Sequence, residues 1–223
     1  MRYVIPSHSR YESIGNNTIA SLVRGGVDLS DVDVFVTPDQ IDDYRRALDD
    51  YDVRVLPGGD SLLEQRHVIK NTYADGERLV VLDDDLRRIF TLDGEGTRDV
   101  DDLPRLADEA WTVCADVGAS LWGIYPVPNP FFMSDRVRVG LWFVVGQMFG
   151  KINRRGEDYW CGAKGDYEET LIRYAHDGAV VRLENVSVDG GGYRRNAGGQ
   201  QDRDRARLND EAVDYLIGRW PDL

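Results

Sequence analysis

One short stretch, residues 79–85, restricts the folds open to this chain more than any other. The apolar run Leu-Val-Val-Leu at 79–82 leads directly into three consecutive carboxylates, Asp83, Asp84 and Asp85. An unbroken apolar run of this kind, after the polar turn 75–78, is typical of a buried strand in a parallel sheet. Three aspartates at its end repel one another unless a cation or hydrogen-bond donors lie among them.

The position of this acidic cluster indicates a ligand site. Open α/β sheets bind ligands at the carboxyl ends of their strands. A divalent metal whose remaining ligands are phosphate oxygens is the simplest partner for carboxylates there. The alternative is a polar turn in which the aspartates cap the next segment. We favour the metal.

Residues 1–85 alternate predicted strands with predicted helices. This order predicts a parallel sheet covered by helices on its faces. No G-x-G-x-x-G and no P-loop follows the first strand, which disfavours dinucleotide and Walker-type sites. The polar loop from Ser7 to Arg10 is either a nucleotide contact or a capping turn. The strands are expected at 3–6, 32–36, 53–56 and 79–85, and the helices at 19–24 (capped by Asn17 and Thr18), 39–49 and 61–72.

The second half of the chain repeats the strand and helix patterns and ends in a glycine-rich, basic segment. Residues 194–207 contain five arginines and two aspartates in a chain of net charge −13. Such a segment is expected either to be mobile and close over an anionic ligand or to be a surface loop. Helices are expected at 103–118, 168–177 and 208–220, and strands within 137–149 and at 180–183.

Composition limits the class of protein. A length of 223 residues favours a single domain. The chain has no apolar run long enough to span a bilayer and no signal-like start, so we expect a cytoplasmic protein without a membrane partner. Its two cysteines do not form a zinc pattern. The negative net charge disfavours nucleic-acid binding except through a local basic patch.

Taken in order, these features resemble the GT-A-fold glycosyltransferases. In that comparison Asp83, Asp84 and Asp85 occupy the DxD position, and the helix start at Gly165 to Glu169 resembles the ED motif. Within this class the sequence is similar to the TET-associated glycosyltransferases of phages, which glycosylate DNA. The matching segments are Ile5-Pro6-Ser7 with Arg10, Gln65-Arg66, residues 82–86, residues 122–129, Asp166-Tyr167-Glu168 and Gly198-Gly199.

The resemblance implies a fold and an activity. The expected fold is α/β and GT-A-like (Rossmann-like), a mixed, mostly parallel sheet flanked by helices in one domain, 1–223. Residues 1–92 would bind the nucleotide sugar, and 103–223 would bind the acceptor, with a mobile loop at 189–207. The enzyme would be a hexosyltransferase in a phage-infected host cell. It would move a sugar from a nucleotide-diphosphate sugar, UDP-linked by analogy, to the hydroxymethyl group of 5-hydroxymethylcytosine in DNA.

The resemblance also assigns roles to individual residues. Mn²⁺ or Mg²⁺ would be held by Asp83 and Asp85, with Asp189 as a third ligand where many relatives have histidine. Asp166 or Glu168 would be the catalytic base, although Asp166 is equally suited to cap its helix. The donor contacts would be Pro6, Ser7, Arg10, Arg66 and Asp84. The acceptor and its DNA backbone would be contacted by Arg154, Arg155, Lys164, Tyr193, Arg194 and Arg195.

Three other interpretations stay open. One is a GT-A enzyme that acts on a polysaccharide, protein or small-molecule acceptor, and another is a non-catalytic module that binds a nucleotide sugar. The third is a nucleotidyltransferase, which also places carboxylates on magnesium. The sequence disfavours it because the loop from Ser7 to Arg10 lacks the glycine-rich, basic character usual after the first strand of those enzymes.

Overall fold

The computed structural model describes residues 1–94, 96–190 and 205–223, with the backbone alone at 205 and 206. A π-helical turn, Gly15–Ile19, joins the first two helices into one helical segment. The helices are α1 Tyr11–Ile14, α2 Ala20–Arg24, α3 Ile41–Ala47, α4 Leu62–Thr72, α5 Leu103–Val117, α6 Gly165–Asp177 and α7 Arg205–Arg219. The strands are β1 Arg2–Pro6, β2 Val32–Val36, β3 Arg54–Pro57, β4 Arg78–Leu82, β5 Leu86–Asp93, β6 Gly96–Asp99, β7 Leu121–Ile124, β8 Val137–Gly140, β9 Met148–Ile152, β10 Val180–Leu183 and β11 Val186–Gly190.

Eight strands form the central sheet, in the order β3-β2-β1-β4-β9-β7-β10-β8. The pairs β3–β2, β2–β1, β1–β4 and β7–β10 are parallel. Strand β9 runs antiparallel to both β4 and β7, and β8 runs antiparallel to β10. The described part of the chain therefore confirms the expected α/β class with a mostly parallel sheet flanked by helices. The division into halves at 92 and 103 remains a prediction.

Both faces of the sheet are covered, which explains the unbroken apolar strands. In β4, Val80 and Leu82 pack into the larger core cluster, whereas Leu79 and Val81 pack into a cluster on the opposite face. Successive side chains of a strand point to opposite faces, so a strand buried on both sides is apolar at every position. Among the described residues, no helix combines the length and apolar character needed to cross a bilayer.

The sequence prediction misplaced the end of the fourth strand. Strand β4 ends at Leu82, and Asp83, Asp84 and Asp85 form a turn into β5. This turn carries the chain from the central sheet into a second sheet of three strands, in the order β11-β5-β6. The carboxylates lie in the turn because a buried ladder position would leave them without solvent or ligands.

Candidate functional site

A set of hydrogen bonds joins the loop after β1 to the turn after β4. Oδ2 of Asp84 accepts a hydrogen bond from Oγ of Ser7 at 2.5 Å, and Oδ1 accepts one from Nη1 of Arg10. The hydroxyl of Tyr44 lies 2.6 Å from Oγ of Ser7 and accepts from the backbone N–H of Arg10 at 2.9 Å. Ser7 and Asp84 are both buried. The carboxyl ends of β1 and β4 therefore form one rigid edge, with Pro6 as the last residue of β1.

Two contacts that the sequence did not reveal hold the acidic turn. Oγ1 of Thr18 donates to the carbonyl of Asp83 at 2.8 Å and accepts from the N–H of Leu86 at 3.0 Å. The N–H of Asp83 donates to the carbonyl of Gln147 at 2.9 Å. The prediction that Thr18 caps a helix was wrong, because the helical segment already begins at Tyr11.

The carboxylates of the acidic turn raise one another's pKa. Burial, together with the neighbouring Asp84 and Asp85, raises the pKa of Asp83 to about 8, although Arg10 lowers it. Burial also raises the pKa of Asp84, against the hydrogen bonds from Ser7 and Arg10. Nη1 of Arg10 lies 3.3 Å from Oδ2 of Asp85. The Arg10 guanidinium thus interacts with the carboxylates of this turn, and carboxylates this close together raise one another's pKa unless positive charge lies among them.

Asp166 joins this edge from the start of α6. Its carboxylate accepts the N–H of Tyr167 at 3.0 Å, and its charge contributes to the raised pKa of Asp83. Burial raises the pKa of Asp166 itself, against backbone hydrogen bonds that include one from Gly146. A β-carbon on Gly146 would lie 3.5 Å from Cβ of Asp166. The structure thus brings Asp166 to the acidic turn.

The carboxylates do not form a metal cage by themselves. Among the described residues, no group of three or more histidine, cysteine, aspartate or glutamate side chains could hold a metal ion. Asp189, the expected third ligand, is exposed in β11 and pairs in register with Arg88 of β5. Asp83 and Asp85 are the candidate ligands within the turn, and Asp189 as a third ligand remains a prediction.

Glu168 and Arg66 form a buried ion pair between α4 and the first turn of α6. Nη1 of Arg66 donates to Oε2 of Glu168 at 2.6 Å, and the side chain of Glu168 is 0% exposed. Oε1 of Glu168 also accepts the backbone N–H of Trp160 at 2.8 Å. A carboxylate engaged in this way has no access to a reacting hydroxyl, so Asp166 is the candidate we retain. Nη1 of Arg66 is engaged by Glu168, whereas Nη2 is buried without a hydrogen-bond partner among the described residues, so its expected contact with the donor remains a prediction.

The basic residues expected to bind an acceptor are divided between the two edges of the sheet. Lys164 immediately precedes α6, on the same side as Asp166. Arg154 and Arg155 follow β9 at the amino edge, where Arg154 pairs with Asp177 at 2.7 Å. The remaining three, Tyr193, Arg194 and Arg195, fall outside the described residues, as does most of the expected loop at 189–207.

The loop after β3 extends the same carboxyl edge. Nε2 of Gln65 donates to the carbonyl of Phe35 at 2.6 Å, and Oε1 accepts the N–H of Gly59 at 2.6 Å. Gln65 also packs so closely against Gly58 that a β-carbon there would overlap its amide. The glycines at 58 and 59 therefore allow the loop to close onto α4 and to shape the edge beside β2.

Comparisons with known proteins support the fold and not the expected activity. No protein-family model matches the sequence, and no curated protein matches it significantly. The structure is similar to 4-diphosphocytidyl-2C-methyl-D-erythritol synthase from Anaerococcus prevotii, with a TM-score of 0.50 at 9% identity over 95% of each chain. It also matches inositol-1-phosphate CTP transferase from T. maritima, with a TM-score of 0.47 at 9% identity over 94% of this chain and 95% of that one.

The match to the diphosphocytidyl synthase overturns the family expected from the sequence. That neighbour is a synthase of a diphosphocytidyl compound and not a glycosyltransferase. The resemblance to GT-A and phage TET-associated enzymes was therefore wrong, as was sugar transfer to 5-hydroxymethylcytosine. The other acceptors and the nucleotide-sugar-binding module are no better supported. The sequence pointed to the wrong family because many kinds of transferase bind a metal and phosphates with carboxylates that follow a buried strand. The chain shares the mixed α/β fold of the diphosphocytidyl synthase.

Proposed function

We propose that this chain is a nucleotidyltransferase that uses a nucleoside triphosphate, with CTP as the first candidate. In this reaction an oxygen of a phosphorylated acceptor attacks the α-phosphorus. The bond between the α-phosphorus and the bridging oxygen breaks, and pyrophosphate leaves with the bonding electron pair. The proposal combines the fold shared with the diphosphocytidyl synthase and the site at the carboxyl edge.

The observation that carries the proposal is the convergence of charged groups on that edge. The acidic turn (Asp83, Asp84 and Asp85) meets Arg10 and Asp166 where hydrogen bonds join the loops after β1 and β4. Nε of Arg10 is buried and has no hydrogen-bond partner among the described residues. A guanidinium with a spare donor next to carboxylates is suited to contact a phosphate oxygen.

The donor set fits a divalent metal bound together with its substrate. Asp83 and Asp85 would hold the ion. Magnesium commonly takes one or two carboxylates and completes its shell with phosphate oxygens and water, which agrees with two protein ligands here. When bound, the ion would supply positive charge to the phosphates during transfer.

The remaining roles follow from the chain's own residues. Arg10 would neutralise charge on the phosphates, and Asp84, held by Ser7, would keep Arg10 in place. A phosphate acceptor carries most of its charge near neutral pH, because its second pKa is about 6. The acceptor therefore needs no general base. Asp166 would then shape the acceptor side of the site rather than remove a proton.

The test is nucleotide binding and turnover. Binding of the four ribonucleoside triphosphates is measured by calorimetry with Mg²⁺ or Mn²⁺, and pyrophosphate release is measured against a panel of sugar and polyol phosphates. We expect metal-dependent binding that Asp83→Ala and Asp85→Ala abolish. Asp116→Ala, which removes an exposed carboxylate on α5, is the matched control and should behave as wild type. The proposal fails if no triphosphate binds, or if the Asp83 and Asp85 variants bind as well as wild type.

A further inference from the structure

A network of buried charges packs between α4, β9 and α6. Its members are all charged side chains with little exposure, joined by ion pairs: Arg66, Lys151, Glu157, Glu168, Glu169 and Arg173. Burial of charges is costly unless each is paired. A hydrophobic contact would join these elements at a lower desolvation cost. What the ion pairs add is a fixed orientation of the side chains that form them.

Arg66 is the member of this network that reaches the first turn of α6. Nη1 lies 2.6 Å from Oε2 of Glu168, and Nη2 lies 3.6 Å from Oε2 of Glu169. The guanidinium carbon lies 3.8 Å from the ring centroid of Tyr159. Two consecutive carboxylates and one aromatic ring therefore orient a single guanidinium on α4.

Glu168 passes this restraint on to the segment that leads into α6. Its carboxylate accepts the N–H of Trp160 at 2.8 Å and that of Cys161 at 3.3 Å. Gly165 lies directly against Arg66, since a β-carbon there would be 3.0 Å from Nη1. Arg66, Glu168 and the segment 160–165 thus form one joint, which we call the α4–α6 joint.

The start of α6 has no side-chain cap to hold it in place. Lys164, at the N-cap position, has a left-handed backbone with φ 55° and makes no capping hydrogen bond. Ser61, in contrast, caps α4 by accepting the N–H of Glu64 at 3.2 Å. Asp166 lies within this first turn, where its own carboxylate accepts the N–H of Tyr167 at 3.0 Å. That bond fixes the side chain relative to the helix, so the placement of the whole first turn depends on what secures Glu168, two residues further along.

We propose that Arg66 is a positioning residue that sets Asp166 opposite the acidic turn through the α4–α6 joint. The proposal rests on the proposed function for its activity measurements, and it adds a role for a residue that does not touch the substrate. Because the acceptor lies on the Asp166 side of the site, loss of the joint should impair the transfer step and leave nucleotide binding largely intact.

The experiment compares Arg66→Gln and Arg66→Lys with Arg182→Gln. Arg182 is the matched control, a buried arginine in β10 whose Nε lies 2.6 Å from Oε1 of Glu184. We expect Arg66→Gln to lower kcat about 10- to 100-fold with KM for the nucleotide within about twofold of wild type. Arg66→Lys should recover part of the loss, and Arg182→Gln should leave both parameters near wild type. Gly165→Ala, which displaces the guanidinium without removing it, serves if Arg66→Gln does not fold.

Hydrogen exchange of the backbone provides a readout that needs no turnover. We expect faster exchange in residues 160–168 of Arg66→Gln, and unchanged exchange there in Arg182→Gln. If Arg66→Gln exchanges faster than wild type at 160–168 but the wild type shows no turnover, the proposed function fails and the joint is still established. Equal losses of kcat in Arg66→Gln and Arg182→Gln, or unchanged exchange at 160–168, would overturn the positioning role.

Discussion

Asp33 offers a strong test of how strands β1, β2 and β3 of the central sheet are held together. Its side chain is fully buried at the start of β2 and accepts five hydrogen bonds. Arg2 donates at 3.1 and 2.7 Å, Arg54 at 2.6 and 2.7 Å, and Tyr73 at 2.6 Å. One carboxylate therefore joins β1, β2 and β3 to the end of α4. We predict that Asp33→Asn destabilises the protein strongly.

The magnitude follows from removing one partner of a buried ion pair. Such a change costs about 3–5 kcal/mol, because Arg2 and Tyr73 lose the buried carboxylate they share, although Arg2 keeps its contact with the half-exposed Asp31. For a domain of this size each kcal/mol lowers Tm by about 2–4 °C, so the expected decrease is about 6–20 °C. Asp31→Asn is the control, since Asp31 contacts the same Arg2 at 3.1 Å with half of its side chain exposed. An exposed pair contributes at most about 1 kcal/mol.

The contribution of Asp33 should also depend on pH. Burial alone would raise the pKa of Asp33, but the hydrogen bonds from Arg54, Arg2 and Tyr73 hold it below its ordinary value. A carboxyl group with a lowered folded-state pKa stabilises fully above its unfolded pKa of about 3.9, and this stability disappears as pH falls through the folded value. The difference between wild type and Asp33→Asn should therefore shrink in acid.

The assay is urea-induced unfolding of wild type, Asp33→Asn and Asp31→Asn from neutral pH into the acid range. Nucleotide binding at neutral pH is measured in parallel and should persist in folded Asp33→Asn, because Asp33 lies at the amino edge, opposite the acidic turn. The reasoning is refuted if Asp33→Asn loses no more stability than Asp31→Asn. It is also refuted if the difference from wild type is the same at all pH values.

Three further substitutions test the site and the core. Burial and the acidic neighbours raise the pKa of Asp83, so Asp83→Asn should raise Tm in EDTA. The same substitution should abolish the gain in Tm on adding Mg²⁺ and CTP. A lower Tm in EDTA would contradict the electrostatic argument. Gly58→Ala should weaken nucleotide binding severalfold in calorimetry, because the added methyl group displaces Gln65 and opens the loop after β3. Unchanged affinity would show that this loop is not part of the nucleotide site. Gly150→Ala should cost about 1–3 kcal/mol in urea unfolding, because its β-carbon overlaps the indole of Trp122, and wild-type stability would show that this core can adjust.

Local patterns in the sequence predicted most of the regular elements. Strand β2 occupies Val32–Val36 as expected, and α4 begins directly after Ser61. These succeed because strands buried on both faces need apolar side chains throughout, and because a serine followed three residues later by glutamate satisfies the first N–H groups of a helix. Such signals lie within a few residues of the structure they determine.

The second sheet was missed because its partners are distant in sequence. Strand β5 pairs with β11, so Ile89 lies opposite Val188 although about a hundred residues separate them. Nothing within 86–93 identifies that partner. The same limit applies to Thr18, whose hydroxyl is 65 residues from the carbonyl of Asp83 that it contacts.

The sequence by itself determined where the acidic cluster lies in the fold. A buried strand that ends in three carboxylates must place them at a sheet edge, because unpaired charges are excluded from the core. Only the tertiary structure decided which other charges meet there. It brought Asp166 and Arg10 to the acidic turn, and it sent Glu168 and Arg66, 102 residues apart, into a buried pair. The physical reason is that the role of a charged side chain depends on its neighbours and burial, which packing between distant segments creates.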